Sequence, residues 1–172
     1  MIRLILPLFI IAIPLICCTN VQTTSHFTSP KAQIDNYIAV EVHEFESASP
    51  NFPEDGLVEI PNLIAEKLRN KDTNFKEVRF GKIDNYPPEK TVVVLGEIAK
   101  YIGSGDVRYE SGNVKFGEIE INIDIAILQK SNGREITTGE VNSFNSASFL
   151  GGKDKMYEEI ANEIVKYILT IS

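Results

Sequence analysis

Tryptophan is missing from this 172-residue chain, and histidine and cysteine occur twice each. Each scarcity excludes something. Cys17 and Cys18 are adjacent, so they can neither staple distant parts of a fold nor supply a cysteine metal site. The residues after them contain no cysteine and are indifferent to redox compartment. Basic residues are also in short supply, 17 Lys and Arg against 24 Asp and Glu, for a net charge of −7. Broad binding to nucleic acid or to anionic lipid needs clustered Lys and Arg, so both are disfavoured. Long apolar runs are lacking as well, apart from Leu4 to Ile16. That run is short of the ~20 helical residues that span a bilayer core, and Pro7 and Pro14 oppose a stable helix.

What the amino terminus does contain is a secretory pattern. Arg3 forms a thin positive region before the apolar run, as in a signal peptide. The run ends in Leu15-Ile16-Cys17-Cys18, which resembles the bacterial lipobox, where aliphatic and small residues precede a cysteine that is diacylated and becomes the mature terminus. Two cysteines compete. With Cys18 modified, small Cys17 stands before the cut and Leu15 three places before the modified residue; with Cys17 modified, bulky Ile16 stands where a small residue is wanted. Residues 1–17 are therefore read as a lipoprotein signal peptide and Cys18 as the lipid-attachment site. The alternative is an ordinary signal peptide with incidental cysteines. Each buried acyl methylene contributes ~0.8 kcal/mol and one chain is marginal, so two or three chains make a firm membrane anchor. Thr19 rather than Asp follows Cys18; by resemblance to enterobacterial sorting rules, this implies the outer membrane, facing the periplasm.

Residues 18–33 follow, with Thr19 to Gln33 reading TNVQTTSHFTSPKAQ. They are polar and aperiodic, the pattern of a flexible tether with His26 as exposed spacer. Fully extended, such a stretch reaches about 50 Å. Residues 34–172 form a single domain. Hydrophobic content of 43% and charged content of 24% are ordinary for a globular fold.

The most informative stretch of that domain is Gly117 to Leu128, GEIEINIDIAIL. Isoleucine occupies 119, 121, 123, 125 and 127, with Glu118, Glu120, Asn122, Asp124 and Ala126 between. Successive strand side chains point to opposite faces, so this is a strand with one apolar and one polar, acidic face. A 3.6-residue repeat would scatter the isoleucines around a helix. Such a strand belongs in an antiparallel sheet covered on one side. Tyr37 to Phe45 predicts a first strand, Phe75 to Phe80 a short one, and Thr91 to Ile102 a central one. Asn132-Gly133 marks a hairpin, and Arg134 to Ser146 is a polar, edge-like returning strand. Helices are expected from Pro61 to Asn70, after an irregular turn, and from Lys155 to Leu169 with Asp154 as N-cap. Their stripes include Ile60, Leu63, Ile64 and Leu68 in one, and Tyr157, Ile160, Ala161, Ile164 and Ile168 in the other. The expected architecture is α+β and two-layered: a mostly antiparallel four- to five-stranded sheet with two helices on one face.

Chemistry is sparse. His43 lies beside Glu41 and Glu44, a pairing that could transfer protons, or simply a strand residue at the surface. Glu118, Glu120 and Asp124 share a strand face, as divalent-cation ligands could, yet such a row is more often solvated. Gly103-Ser104-Gly105 leads to a strand instead of a helix and lacks the electrostatics of a phosphate loop. No catalytic, cofactor-binding or metal-binding residue is assigned, and a non-enzyme is expected.

The segments YIAVEVHEFE, VVVLGEIAKYIGSGDVRY, EIEINIDIAILQKSNGREITTGEV and YEEIANEIVKYI together resemble a bacterial lipoprotein family, domain of unknown function 4410. More distantly the layout is similar to periplasmic domains of curli-secretion-channel lipoproteins, lipoprotein activators of penicillin-binding proteins, and the TolB amino-terminal domain. The resemblance implies an envelope adaptor and carries over no functional residue. The expected partners are a membrane, through the lipid anchor, and an envelope protein, with no nucleic acid. The adaptor's rival is a small-molecule or lipid carrier.

Overall fold

The computed structural model describes residues 21–31, 34, 36–105, 108–110, 113–115, 117–146 and 152–172. In chain order the elements begin with strands β1 (Val21–Phe27), β2 (Ala39–Val42) and β3 (Glu46–Ser47), then helix α1 (Glu54–Arg69). Strands β4 (Glu77–Phe80) and β5 (Thr91–Ile102) follow, then a small hairpin, β6 (Arg108–Glu110) with β7 (Asn113–Lys115). Strands β8 (Ile119–Gln129) and β9 (Glu135–Asn145) and helix α2 (Gly152–Thr170) complete the chain.

The isoleucine strand is β8, central in an open seven-stranded sheet of order β1-β9-β8-β5-β2-β4, with β3 also paired to β5. The fold is α+β with two helices, as expected, but the sheet is larger and mixed. β1, β9, β8 and β5 run antiparallel, whereas β2 runs parallel to both β4 and β5. The parallel β2–β4 pair follows from α1, which lies between them in sequence and serves as the crossover that parallel neighbours require.

All five isoleucines are buried and share one core with both helices. The predicted stripe of α2 is buried throughout. Two glycines let the sheet close on that side. Gly96 and Gly139 flank Ile125 in register, and Phe45 and Phe27 lie over them. A Cβ would stand 2.7 Å from the Phe45 ring at the first and 2.1 Å from the Phe27 ring at the second.

The helices run parallel. Asp55 and Lys153 pair at 2.6 Å near their amino ends, and Lys67, Lys71, Lys166 and Leu169 line one cleft near their carboxyl ends. Asp154, expected as the N-cap of α2, lies inside its first turn. Expected to begin at Pro61, α1 begins at Glu54 and holds Pro61 in its interior. Proline has no N–H to give the carbonyl four residues back; that carbonyl, Leu57 O, instead accepts the Phe45 N–H at 3.0 Å. The helix therefore tolerates its proline, and the freed acceptor ties α1 to the end of the first strand region.

The sheet edges also differ from expectation. The stretch expected to be tether is, over Val21–Phe27, strand β1, paired with β9 through seven register positions. Strand β9, expected at an edge, is interior, and its polar side chains have partners. Ser143 meets Thr23 at 3.0 Å, and Thr137 meets Tyr167 at 2.8 Å. Ser25 of β1 donates to Glu163 of α2 at 2.8 Å, and Phe27 stacks on Tyr167 with centroids 3.8 Å apart. The Asn132-Gly133 hairpin is as expected, with Gly133 at φ +67°.

Candidate functional site

The helices cover the isoleucine face of β8, and the other face carries the polar residues. Register makes them converge across strands. Glu46 of β3 pairs with Glu97 of β5, Glu97 with Asp124 of β8, Asp124 with Glu140 of β9, and Glu140 with His26 of β1. Four carboxylates and a histidine thus form one row straight across the sheet. The row lines an open groove of about 630 Å³, with Leu95, Ala126 and Thr138 beside it.

The members differ in environment. Glu140 accepts from the Asn122 amide at 2.6 Å and the Asn142 amide at 2.9 Å. Those two hydrogen bonds, Asn142 first, hold its carboxyl below the ordinary carboxylate range, with a smaller contribution from nearby His26. Glu120, two strand repeats outside the row, is paired with Lys100 at 2.7 Å. Glu46, Glu97 and Asp124 are exposed. The expected acidic face therefore exists, but its centre is Glu97–Asp124–Glu140, not Glu118–Glu120–Asp124. Among the described residues no three His, Cys, Asp or Glu side chains are placed to hold a metal ion. Glu97 and Glu140 were not singled out by the sequence, and His26, expected as a tether spacer, lies in β1. Each alternates correctly within its own strand, but only the register reveals that they are neighbours.

The same face is closed at its hairpin end. Ile83, from the connection between β4 and β5, is fully buried apart from the main core. Its N–H donates at 2.7 Å to Glu41, which is only 1% exposed. Glu41 also pairs with the Lys130 ammonium and with His43 Nε2 at 3.0 Å. Lys130 in turn donates to Ile83 O at 2.6 Å. The His43–Glu41 pair read from the sequence is real, and Glu41 has two further partners. Burial pushes the Glu41 carboxyl up, but Lys130, the Ile83 N–H and His43 outweigh it and hold it below its ordinary value of 4.5. A carboxylate stabilised in its charged form is a poor proton acceptor, and the arrangement behaves as a clamp for the 81–90 connection.

The sheet edge at β4 has the opposite charge. A second groove there is lined by Arg69, Lys71, Lys76 and Arg79, with Asp72 and Glu77 among them. Cys18, the expected lipid-attachment residue, and Cys17 lie outside the described residues. Among the described residues no helix is long and apolar enough to cross a membrane.

Comparison with known proteins finds no matching family model and no matching curated protein. Solved structures do match. A variant PelC dodecamer from Paraburkholderia phytofirmans has a TM-score of 0.56 at 19% identity, over 84% of this chain and 95% of that one. A second PelC dodecamer from the same organism gives 0.54 at 18%, over 84% and 96%. A protein from Xanthomonas campestris in the family of unknown function 330 gives 0.50 at 10%, over 84% and 91%. At these identities the likeness is one of fold: a two-helix, open-sheet domain found among bacterial proteins.

Proposed function

We propose that this chain is a lipid-anchored lipoprotein of the bacterial envelope, facing the periplasm from the outer membrane, and that it acts as a non-catalytic adaptor whose open sheet face docks another protein. The observation that carries the reading is the groove itself. A row of four carboxylates crosses a face that lies open among the described residues, while the opposite face is filled by both helices. A partner presenting a basic, partly apolar surface fits the acidic row and the Leu95–Ala126 strip beside it. The apolar run ending in Leu15-Ile16-Cys17-Cys18 supports an envelope location. The PelC structures are described as dodecamers, which makes a second copy one candidate for the docked protein, given the basic β4 edge. Carrying a lipid between the layers is the less favoured reading, because that space is occupied by buried isoleucine, valine and tyrosine side chains.

Capture from detergent-solubilised envelope tests this. The Asp124→Lys, Glu97→Lys double variant is expected to lose a stoichiometric protein partner that the parent chain retains, with unchanged thermal unfolding. Retention of the same partner by the double variant, or an extractable lipid in place of a protein, contradicts the adaptor reading. Cys18→Ser is expected to abolish acyl labelling and membrane association. Labelling lost only in Cys17→Ser moves the attachment site.

A further inference from the structure

The geometry points to an upright stance on the membrane, with the end of the domain that carries Val21 held close to the lipid surface. The inference rests on lipid attachment at Cys18 and adds what the fold makes of it. Only Thr19 and Asn20 separate Cys18 from Val21, the first residue of β1. Three peptide steps reach no more than about 11 Å. Strand β1 cannot lengthen that leash without leaving the sheet. Its seven residues pair with β9, Ser25 is tied to Glu163, and Phe27 is stacked on Tyr167.

The register identifies what lies at the leashed end. Val21 pairs with Asn145, Asn145 with Ile119, and Glu120 with Ile102. Glu163 lies against Ser25 and Tyr167 against Phe27, so α2 runs with β1 and starts at this end. The Asp55–Lys153 pair places the start of α1 there too. At the far end stand the Ser131–Gly133 turn and the carboxyl ends of both helices. Strand β8 separates the two ends by 11 residues, roughly 35 Å. The acidic row lies five residues beyond Val21 along β1, at His26, so it is held roughly 17 Å above that end and opens sideways, parallel to the membrane. The β1 and β4 edges stand upright with it. A partner of the open face must therefore approach laterally, as another protein on the same membrane does.

The test uses the full lipidated chain in phosphatidylethanolamine–phosphatidylglycerol vesicles that contain a lipid-borne energy acceptor. A donor dye is attached at Ser104→Cys, near the leashed end, or at Ser131→Cys, at the far turn; both residues are exposed. Because the sites lie roughly 35 Å apart along the strands, transfer from Ser131→Cys is expected to be lower by about fivefold or more. Inserting twelve Gly and Ser residues between Asn20 and Val21, a coil with a mean span of about 20 Å, is expected to remove most of that difference. Equal transfer from the two sites without the insert overturns the stance. A chain that carries no acyl label and stays in the aqueous phase overturns instead the lipid-attachment reading, and the stance with it.

Discussion

The side chain that decides most at the residue scale is Glu41. One strand, a loop and a hairpin end meet at its carboxylate: its own β2 with His43 just beyond it, the Ile83 N–H and the Lys130 ammonium. Removing one partner of a buried pair leaves the other uncompensated, which costs about 3–5 kcal/mol in a fully buried setting. Lys130 keeps 22% side-chain exposure, so Glu41→Gln is expected to cost about 3 kcal/mol at neutral pH, at the low end of that range. Pairing Glu41→Gln with Lys130→Met should recover part of the loss in urea unfolding. The sign with pH follows from the lowered carboxyl. Its contribution is fully present above the ordinary value of 4.5 and fades as pH falls through the lower folded value. The gap between parent and Glu41→Gln should therefore narrow on acidification below about pH 4.5; a gap that stays constant there contradicts the account. His43 and Glu41 could be paired from the sequence by their spacing on one strand. Lys130 could not, since it is 89 residues away and reaches Glu41 only once β5 has placed β8 and β2 on its two sides.

Of the elements, β8 was legible almost residue by residue, because strict alternation over the nine positions from Ile119 to Ile127 has one structural meaning. The helical stripes were legible for a similar reason. Strand β1 was not. Its core-facing residues are Val21, Thr23, Ser25 and Phe27, and the two polar ones are satisfied by Ser143 and Glu163, partners the local sequence does not reveal. A strand whose inward face is half polar reads as tether until its partners are known. The amino boundary of α1 was misplaced because Pro61 usually marks a helix start; here the acceptor it strands is used by Phe45. The claim that β1 is structural has a direct check. In hydrogen exchange, the ladder amides of Val21–Phe27 should be protected alongside those of β9, whereas a tether would exchange at once. Phe27→Ala removes the stacking on Tyr167 and uncovers Gly139. Because Phe27 is only half-buried, the expected loss is about 2 kcal/mol, below the range for a fully buried ring, with β1 protection falling first.

For the whole molecule, the central feature is an asymmetry of faces. One side of the sheet is closed by two parallel helices; the other carries Glu46, Glu97, Asp124 and Glu140 in a single register row, while Arg69, Lys71, Lys76 and Arg79 gather at the β4 edge. That the long strand has an acidic face could be read from β8 alone. Where the groove lies could not, because it depends on the register of five strands. In a molecule whose net charge is −7, such sorting steers a basic partner to one side and fixes its orientation more than it adds to affinity. The most direct measurement is photocrosslinking in intact cells, with a photoreactive residue at Asp124 on the open face or at Val58 on the exposed side of α1, which is 37% exposed. A discrete protein adduct from Asp124 that is absent from Val58 is the result predicted here. Equal adducts from both positions, or one from Val58 alone, would contradict the open sheet face as the docking surface.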